Sequence, residues 1–325
     1  MELRGLLNGI KRIGMTEISV VIPVLNEEEN IPELYSELRD VLEKLNKPYE
    51  IIFIDDGSTD NSFKILKEIH EKDNKVKVIK FRRNFGQTPA ISAGFDHATG
   101  SIIITMDSDL QNDPKDIPKL LEKINEGYDV VSGWRANRKD PFLTKKIPSK
   151  ISNWLTRRLT GVDIHDFGCT LKAYRGEVLK DVKLYGEMHR FIPAIVSWKG
   201  FKVSEIPVEH HSRKFGKTKY GTWRIMKGFL DLLVVTFWQK YSTRPIHLFG
   251  GLGLLLSFSG FLIGLYLSII KFFYHQGISN RPLLLLGILI IILGMQFIIF
   301  GLLADIMVRV YYQEERQYNI EGILG

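Results

Sequence analysis

Two aspartates separated by one residue, Asp107 and Asp109, follow directly after the β-branched run 101–106. Carboxylate oxygens at this spacing suit a hard cation such as Mg²⁺ or Mn²⁺, which also takes diphosphate oxygens and water as ligands. Gln111, two positions later, adds a neutral oxygen that could bind the cation or a water ligand. The alternative interpretation is a turn followed by a helix cap, since aspartate is common in turns.

Polar residues also follow the other predicted strands, at the point where each strand ends. These segments are Pro23–Glu28, Asp55–Ser58, Asp107–Gln111 and Gly133–Arg135. Ligands of open α/β sheets bind in the crevice outside the carboxyl ends of the strands. We therefore expect several acidic groups, with an arginine beside them, to converge on one edge of a sheet.

Short apolar strands alternate with amphipathic helices in the first 133 residues. The predicted strands are 17–23, 50–54, 76–81, 101–106 and 129–133. The predicted helices are 28–45, 63–70, 89–98 and 117–125. This alternation predicts an α/β fold with a parallel sheet that helices cover on both faces. The near-continuous apolar strands agree with burial on both faces.

Two stretches near the C-terminus, 246–270 and 282–304, contain no Asp, Glu, Lys or Arg. Each is longer than the roughly 20 residues that a helix needs to cross a bilayer. Gly260 and Gly264 have the spacing that permits close packing of membrane helices. Lys and Arg are more frequent outside the pair than in the connection 271–281, which predicts a cytosolic location for both ends. The alternative is a pair of buried core helices.

Two basic segments lie before these stretches. Residues 138–158 contain seven Lys or Arg against one acidic residue, and residues 213–227 contain six and no acidic residue. Apolar residues at helical spacing predict an amphipathic helix near 147–160 that lies on an anionic membrane surface. The alternative is a solvated or lipid-facing basic surface. We expect no nucleic-acid partner, because membrane anchoring already accounts for the net charge of +7.

Several classes of protein are excluded or disfavoured. The one cysteine, Cys169, excludes an intrachain disulfide and a Cys-rich zinc site. The sequence contains no Walker motif, no Gly-x-Gly-x-x-Gly after the first strand and no Gly-x-Ser-x-Gly, which argues against a P-loop NTPase, a dinucleotide dehydrogenase and an α/β-hydrolase. Residues 1–14 lack the apolar core of a signal peptide, so we expect the first 240 residues to stay in the cytosol.

Six short motifs occur together along the chain. They are Val21–Glu27, Asp55–Ser58, Asn84–Gln87, Asp107–Gln111, Asp166–Cys169 and Arg213–Tyr220. The set resembles the polyprenyl-phosphate glycosyltransferases of glycosyltransferase family 2, and the resemblance covers nearly the whole chain. The two C-terminal stretches are most similar to its bacterial glucosyl- and aminoarabinosyl-transferring branch. The sequence lacks the Gln-x-x-Arg-Trp motif that marks processive polysaccharide synthases.

The resemblance implies a GT-A fold, which is a Rossmann-like mixed sheet with helices on both faces, followed by amphipathic juxtamembrane helices and two transmembrane helices. It implies an N-terminal tail (1–16), a catalytic domain (17–221), a juxtamembrane helix (222–244) and a transmembrane hairpin with a cytosolic tail (245–325). It also implies a multi-pass protein of the cell membrane, with a cytoplasmic catalytic domain, that forms a homo-oligomer.

The resemblance also implies roles for individual residues. Nucleotide-sugar binding is implied for Pro23, Val24, Asn26, Glu27, Asp55, Asp56, Asp107, Ser108, Arg213 and Lys219, with Asp56 at the base. The metal would bind to Asp107, Asp109 and Gln111. The catalytic set is Asp107, Asp109, Arg135 and Asp166, with Arg135 near the donor sugar or the reacting phosphate and Asp166 on the acceptor side. Relatives hold the lipid phosphate with an Arg-x-x-x-Ser pair, which becomes Lys145 and Ser149 here, with Lys146 as a rival.

The implied reaction is the inverting transfer of a hexose from a nucleotide sugar to a polyprenyl phosphate, with Mg²⁺ or Mn²⁺ as cofactor. UDP-glucose is the first donor we expect. A lipid phosphate is already ionised near neutral pH, so a strong general base is not required. Alternatives are a GDP-mannose or UDP-aminosugar donor, a transferase with a non-lipid acceptor, and a non-catalytic membrane-anchored protein that binds nucleotide sugars.

Overall fold

The chain forms two compact units, residues 1–235 and 236–325. The structure, a computed structural model, describes residues 16–136, 147–180, 182, 184, 186, 188–212, 214, 234, 236–237, 241, 244–275, 277 and 282–311. The first unit contains the sheet and the acidic motifs, and the second contains two long apolar helices.

A seven-stranded mixed sheet is the centre of the first unit. Its strands are β1 (Ile18–Val24), β2 (Tyr49–Asp55), β3 (Val76–Lys80), β4 (Ile102–Thr105), β5 (Val130–Trp134), β6 (Lys172–Arg175) and β7 (Val203–Pro207). Their order across the sheet is β3-β2-β1-β4-β6-β5-β7. Strand β6 runs antiparallel to its neighbours β4 and β5, and the other paired strands are parallel.

Helices connect the strands of the first unit, and two long helices lie in the second unit. They are α1 (Ile31–Lys44), α2 (Ser62–Lys72), α3 (Gln87–His97), α4 (Ile117–Asn125), α5 (Ile147–Thr160), α6 (Gly176–Leu179), α7 (Ile192–Trp198), α8 (Ile246–Phe273) and α9 (Pro282–Tyr311). The first five strands and first four helices match the predicted elements to within three residues at each end. The expected purely parallel sheet is wrong, because the reversed strand β6 was not predicted, whereas the mixed GT-A sheet is confirmed.

The residue patterns explain how the sheet acquires two buried faces. In β1, Ile18, Val20 and Ile22 pack into one core cluster, whereas Val21 packs into the cluster on the other face. This alternation follows from the two-residue period of a strand. Helix α1 covers the first face with a row of buried residues, Ile31, Leu34, Leu38 and Leu42, which have the three- and four-residue spacing of one helix face.

The second unit contains two helices that are long and apolar enough to cross a membrane, 246–273 and 282–308. Only 22% and 11% of their most apolar windows are buried within the structure. A core helix of a soluble protein would be mostly buried, so this exposure disfavours the core-helix alternative. Phe272 and Leu285 illustrate it, with 71% and 72% of their surfaces exposed.

Glycines bring the backbones of α8 and α9 into close contact. A Cβ atom added at Gly253 would lie 2.6 Å from the carbonyl oxygen of Gly294, and one added at Gly260 would lie 2.6 Å from that of Gly287. These glycines recur every seven residues on each helix, which keeps one seam in contact. The expected pairing of Gly260 with Gly264 is therefore wrong in part, because an added Cβ at Gly264 would meet no described atom within 4 Å.

We expect Gly253→Leu to lower the thermal unfolding midpoint of the detergent-purified protein, because the new side chain would overlap the backbone of α9. Overpacking of this kind typically costs about 1–3 kcal/mol. Gly264→Leu is the matched control, since it adds the same side chain and the same helix propensity at an open position. Equal midpoints for the two variants would contradict the packing described here.

Candidate functional site

Strands β1, β2, β4 and β5 end at the same edge of the sheet, and the predicted polar segments follow them there. Because β1, β2 and β4 are parallel, Val24 at the end of β1 pairs in register with Asp55 at the end of β2. Asp107 follows β4 by two residues, and Arg135 directly follows β5. The predicted convergence of acidic groups and an arginine on one edge is confirmed.

The loops that leave β1 and β2 are tied together by hydrogen bonds. The backbone N–H of Asn26 donates to Ser58 Oγ (3.0 Å), and Thr59 N–H donates to Asn26 Oδ1 (2.8 Å). Asn26 has a φ of 51°, a left-handed conformation that asparagine tolerates better than most residues. Pro23 is half-buried and Val24 is buried within β1. Glu27 N–H donates to Ser62 Oγ (2.9 Å).

The two adjacent aspartates after β2 have different surroundings. Asp55 is fully buried, and its Oδ1 accepts a hydrogen bond from Ser58 N–H (3.0 Å). Its Oδ2 has no hydrogen-bond partner among the described residues. Asp56 is also buried and accepts hydrogen bonds from the backbone N–H groups of Phe85 (2.7 Å) and Gly86 (2.9 Å). Burial raises the pKa of Asp56.

The segment Asp107–Gln111 forms a tight turn whose two carboxylates lie close enough to repel each other. Burial and then the Asp109 carboxylate raise the pKa of Asp107 to about 6. Leu110 has a φ of 59°, which is rare for a residue with a branched side chain and is typical of strained functional sites. Ser108 and Asp109 are buried, and Asp109 Oδ1 accepts a hydrogen bond from Gln111 N–H (3.2 Å).

The donor set of this turn fits a hard divalent cation. Two mutually repelling carboxylates supply oxygen ligands, and a cation would relieve the repulsion that raises the Asp107 pKa. In the part of the chain that the structure describes, no group of three or more His, Cys, Asp or Glu side chains could hold a metal. A cation here would therefore need oxygens from a substrate or from water as well. The Gln111 side chain donates weakly to the carbonyl oxygen of His211 (3.4 Å).

Arg135 and Asp166 form a buried, bidentate ion pair. Arg135 Nε lies 2.7 Å from Asp166 Oδ2, and Arg135 Nη2 lies 2.9 Å from Asp166 Oδ1. The side chains are 15% and 4% exposed. Burial lowers the pKa of Arg135, but the Asp166 carboxylate outweighs that effect and raises it. Gly168 makes room for the pair, since an added Cβ would lie 3.2 Å from Arg135 Nη2.

A buried lysine lies next to this ion pair in the sheet. Lys172 begins β6 and pairs in register with Thr105 of β4 and Ser132 of β5. Its ammonium group donates to the carbonyl oxygens of Phe167 (3.3 Å) and Cys169, and so holds the turn that carries Asp166. Burial lowers the pKa of Lys172 to about 8.

Three residues of this edge were missed by the sequence analysis. Gln87 donates from Nε2 to Asp107 Oδ1 (2.8 Å), and the Thr170 side chain also hydrogen-bonds Asp107. Lys172 supports the 166–170 turn. Gln87 was part of a recognised motif without an assigned role. Lys172 carried no signal, because a short strand with charged residues does not resemble a buried one. Thr170 lies in the turn before β6, where no local pattern marked it.

Four predicted site residues, Lys145, Lys146, Arg213 and Lys219, lie outside the described residues. Ser149 lies in the first turn of α5. The helix predicted near 147–160 is present as α5, and Leu155 and Leu159 pack against Phe191. Trp154 on the same helix is 64% exposed. The predicted juxtamembrane helix, 222–244, lies largely outside the described residues.

Known proteins are similar to this chain in sequence or in fold. Residues 19–183 match glycosyl transferase family 2. The dodecaprenyl-phosphate galacturonate synthase of Rhizobium johnstonii is 45% identical over 260 residues, which are 79% of this chain and 77% of that protein.

Solved structures with the same fold include glucosyl-3-phosphoglycerate synthase from Mycobacterium tuberculosis. Its complex with Mn²⁺, UDP and phosphoglyceric acid superposes with a TM-score of 0.54 at 17% identity, over 72% of this chain and 81% of that one. Its complex with Mn²⁺, UDP-glucose and phosphoglyceric acid gives a TM-score of 0.54 at 19% identity, over 71% and 83%. At this identity the likeness establishes the fold.

Proposed function

Since the chain belongs to glycosyltransferase family 2, we propose that it transfers a sugar from a UDP donor to a polyprenyl phosphate. The product would be a polyprenyl-monophosphate sugar. The observation that carries this proposal is the 45% identity to a dodecaprenyl-phosphate galacturonate synthase over 79% of the chain. The acidic turn and the preorganised arginine at one sheet edge supply groups that such a transfer needs.

In this proposal Asp107, Asp109 and Gln111 hold a divalent cation, Mg²⁺ or Mn²⁺, which would neutralise charge on the donor diphosphate. The residues of the β1 and β2 loops, Asn26, Glu27 and Asp55 among them, surround the nucleoside. Arg213 and Lys219 would add positive charge around the diphosphate. These roles are consistent with the convergence of the described loops on one edge.

Arg135 supports the transfer through its fixed orientation. Two guanidinium nitrogens are bound to Asp166, so the plane of the group is set before substrate arrives, and little reorganisation is needed when charge develops on the reacting phosphates. The nucleophile would be an ionised phosphate oxygen of the lipid. It forms the new bond to the anomeric carbon as the bond to UDP breaks, which inverts the configuration at that carbon.

A lipid acceptor also accounts for the apolar helices. We propose that α8 and α9 span the cell membrane as a hairpin, with the catalytic unit and both ends of the chain in the cytoplasm. Helix α5, with exposed Trp154 and basic Arg158, would lie at the membrane surface and bring the lipid phosphate to Lys145, Lys146 and Ser149. A homo-oligomer remains part of this proposal.

For the donor we propose a UDP-linked hexuronic acid in place of the glucose expected from the sequence, because the curated relative makes a galacturonate lipid. The test is a panel of labelled UDP-galacturonic acid, UDP-glucuronic acid, UDP-glucose, UDP-galactose and GDP-mannose with Mn²⁺ and polyprenyl phosphate. We expect label in the lipid phase from a uronic acid donor, and its loss on adding EDTA. Transfer from UDP-glucose alone would restore the original expectation.

The rate of transfer is expected to fall as the pH rises through about 8, where Lys172 gives up its proton. The neutral amine donates weaker hydrogen bonds than the ammonium group, so the turn that carries Asp166 is held less firmly. Lys172→Arg keeps its charge to high pH and should move the fall upward by about one pH unit or more. The measurement is kcat/KM against pH for both proteins, and the same alkaline fall in each would contradict this role.

A further inference from the structure

The motif Asn84–Gln87 contacts two other motifs at the sheet edge described above, Asp55–Ser58 and Asp107–Gln111. Residues 81–86, the loop between β3 and α3, pass directly over the turn after β2. A Cβ atom added at Gly57 would lie 2.5 Å from the Arg83 carbonyl carbon and 2.6 Å from the Asn84 nitrogen. Gly57 also has a φ of 73°, which a larger residue rarely adopts. The position of this loop is therefore set by the β2 turn beneath it.

Asp56 fastens the end of this loop. Its Oδ1 accepts from Phe85 N–H and its Oδ2 from Gly86 N–H, at 2.7 and 2.9 Å. Hydrogen bonds to an ionised acceptor are about twice as strong as neutral ones. Asp56 is 4% exposed, so little water competes for these oxygens. Both carboxylate oxygens are thus used to fix the two residues that precede helix α3.

Helix α3 begins at Gln87, and its first residues are held firmly. Gln87 donates from Nε2 to Asp107 Oδ1 at 2.8 Å. The next residue, Thr88, is buried, and its hydroxyl lies 2.6 Å from Nδ1 of the buried His189. Further along the helix, Gly94 packs so closely on β1 that an added Cβ would lie 2.2 Å from Val21 Cγ1. The helix start is thus a rigid support for the Gln87 amide.

We propose that Asp56 and Gln87 are positioning residues for the cation site, Asp56 fixing the start of α3 and Gln87 orienting the Asp107 carboxylate. This inference rests on the proposed function, because it concerns the cation that Asp107 and Asp109 would hold. It differs from the role at the nucleotide base that the resemblance implied for Asp56. Gln87 binds Oδ1 of Asp107, and the Thr170 side chain also hydrogen-bonds this carboxylate. The Asp107 carboxylate is therefore oriented before a cation binds.

The test is Mn²⁺ binding in the presence of UDP, measured by electron paramagnetic resonance on the full-length detergent-purified protein without lipid acceptor. Groups that orient a metal ligand typically contribute roughly 10–100-fold to metal affinity. We therefore expect Gln87→Ala to weaken Mn²⁺ binding about 10-fold or more. Asp56→Asn should have a similar effect, and the double variant should be no weaker than the stronger single variant, because both act on one support.

Asp96→Asn is the matched control, since Asp96 lies on the same helix and is exposed. It should leave Mn²⁺ affinity unchanged. Circular dichroism and unfolding midpoints identify any variant that fails to fold. If Asp56→Asn fails in this way, Gln87→Ala alone decides, because Gln87 is only partly buried and belongs to none of the hydrophobic core clusters.

Three results with the variants would overturn the inference. They are unchanged Mn²⁺ affinity in Gln87→Ala, independent effects that multiply in the double variant, and weaker metal-free uridine binding with unchanged Mn²⁺ affinity in Asp56→Asn. The last would assign Asp56 to the base. Absence of Mn²⁺ binding by the unaltered protein would overturn the inference together with the proposed metal dependence. Failure of lipid transfer with normal Mn²⁺ titrations would overturn only the proposed function.

Discussion

Asp109→Asn is expected to lower the rate of sugar transfer about 1,000-fold or more, because it removes a carboxylate charge from the proposed cation site. Asparagine has nearly the same shape and retains an oxygen that can accept the hydrogen bond from Gln111 N–H. The fold should therefore be preserved. The same change at Asp107 should have a similar effect, since Asp107 is the other proposed carboxylate ligand and lies close enough to Asp109 for repulsion to raise the pKa of Asp107.

The measurement is initial transfer rate at saturating donor, with circular dichroism to confirm folding. Asp163→Asn provides the matched control, because Asp163 also carries a negative charge but is 81% exposed and pairs with Arg157 on the surface. It should transfer at the normal rate. An Asp109→Asn enzyme with more than about a tenth of normal activity would contradict the role of this turn.

Asp166→Asn is expected to have the second large effect, on both stability and transfer. It would leave the buried Arg135 guanidinium without its bidentate carboxylate. Breaking a buried pair by removing one partner typically costs about 3–5 kcal/mol. Because the arginine would lose its fixed orientation, we also expect transfer to fall about 100-fold.

Arg135→Lys separates charge from geometry in the same ion pair. It keeps the positive charge beside Asp166 but cannot form the two parallel hydrogen bonds of the guanidinium. We expect the Arg135→Lys protein to have a higher free energy of unfolding than the Asp166→Asn protein. Its rate of sugar transfer should be lowered to a similar extent. Normal transfer by Arg135→Lys would contradict the claim that orientation of the arginine matters.

The acidic edge could be predicted from the sequence because its residues follow strands with a strong pattern. Strand β2 is buried at every position, and its apolar run located Asp55 and Asp56 at its end. The same reasoning located Asp107 and Arg135. Parallel strands end together, so the convergence followed from topology alone.

The contacts inside the site could not be predicted in this way. The partners in Arg135–Asp166 are 31 residues apart, and those in Gln87–Asp107 are 20 apart. Nothing in local periodicity reports which polar groups meet after the loops fold. Strand β6, with the sequence KAYR, has two charged residues among four, so its burial between β4 and β5 gave no signal.

For the apolar helices, too, one part could be predicted from the sequence and another could not. Their existence followed from length and composition, but the packing seam did not. The sequence analysis paired Gly260 with Gly264 because they are four residues apart. The helix–helix contacts instead involve glycines seven residues apart, such as Gly253 and Gly260. A glycine-rich helix offers several spacings, and only the partner helix decides which one is used.

The central claim is that a polyprenyl phosphate accepts the sugar, and one measurement tests it most directly. Purified protein would be incubated with Mn²⁺ and a UDP-sugar labelled in the sugar, with and without polyprenyl phosphate. Both released UDP and labelled lipid would be quantified. We predict that UDP release depends on the lipid and equals the amount of labelled lipid formed. UDP release that is independent of lipid, with the label left in the aqueous phase, would contradict the account.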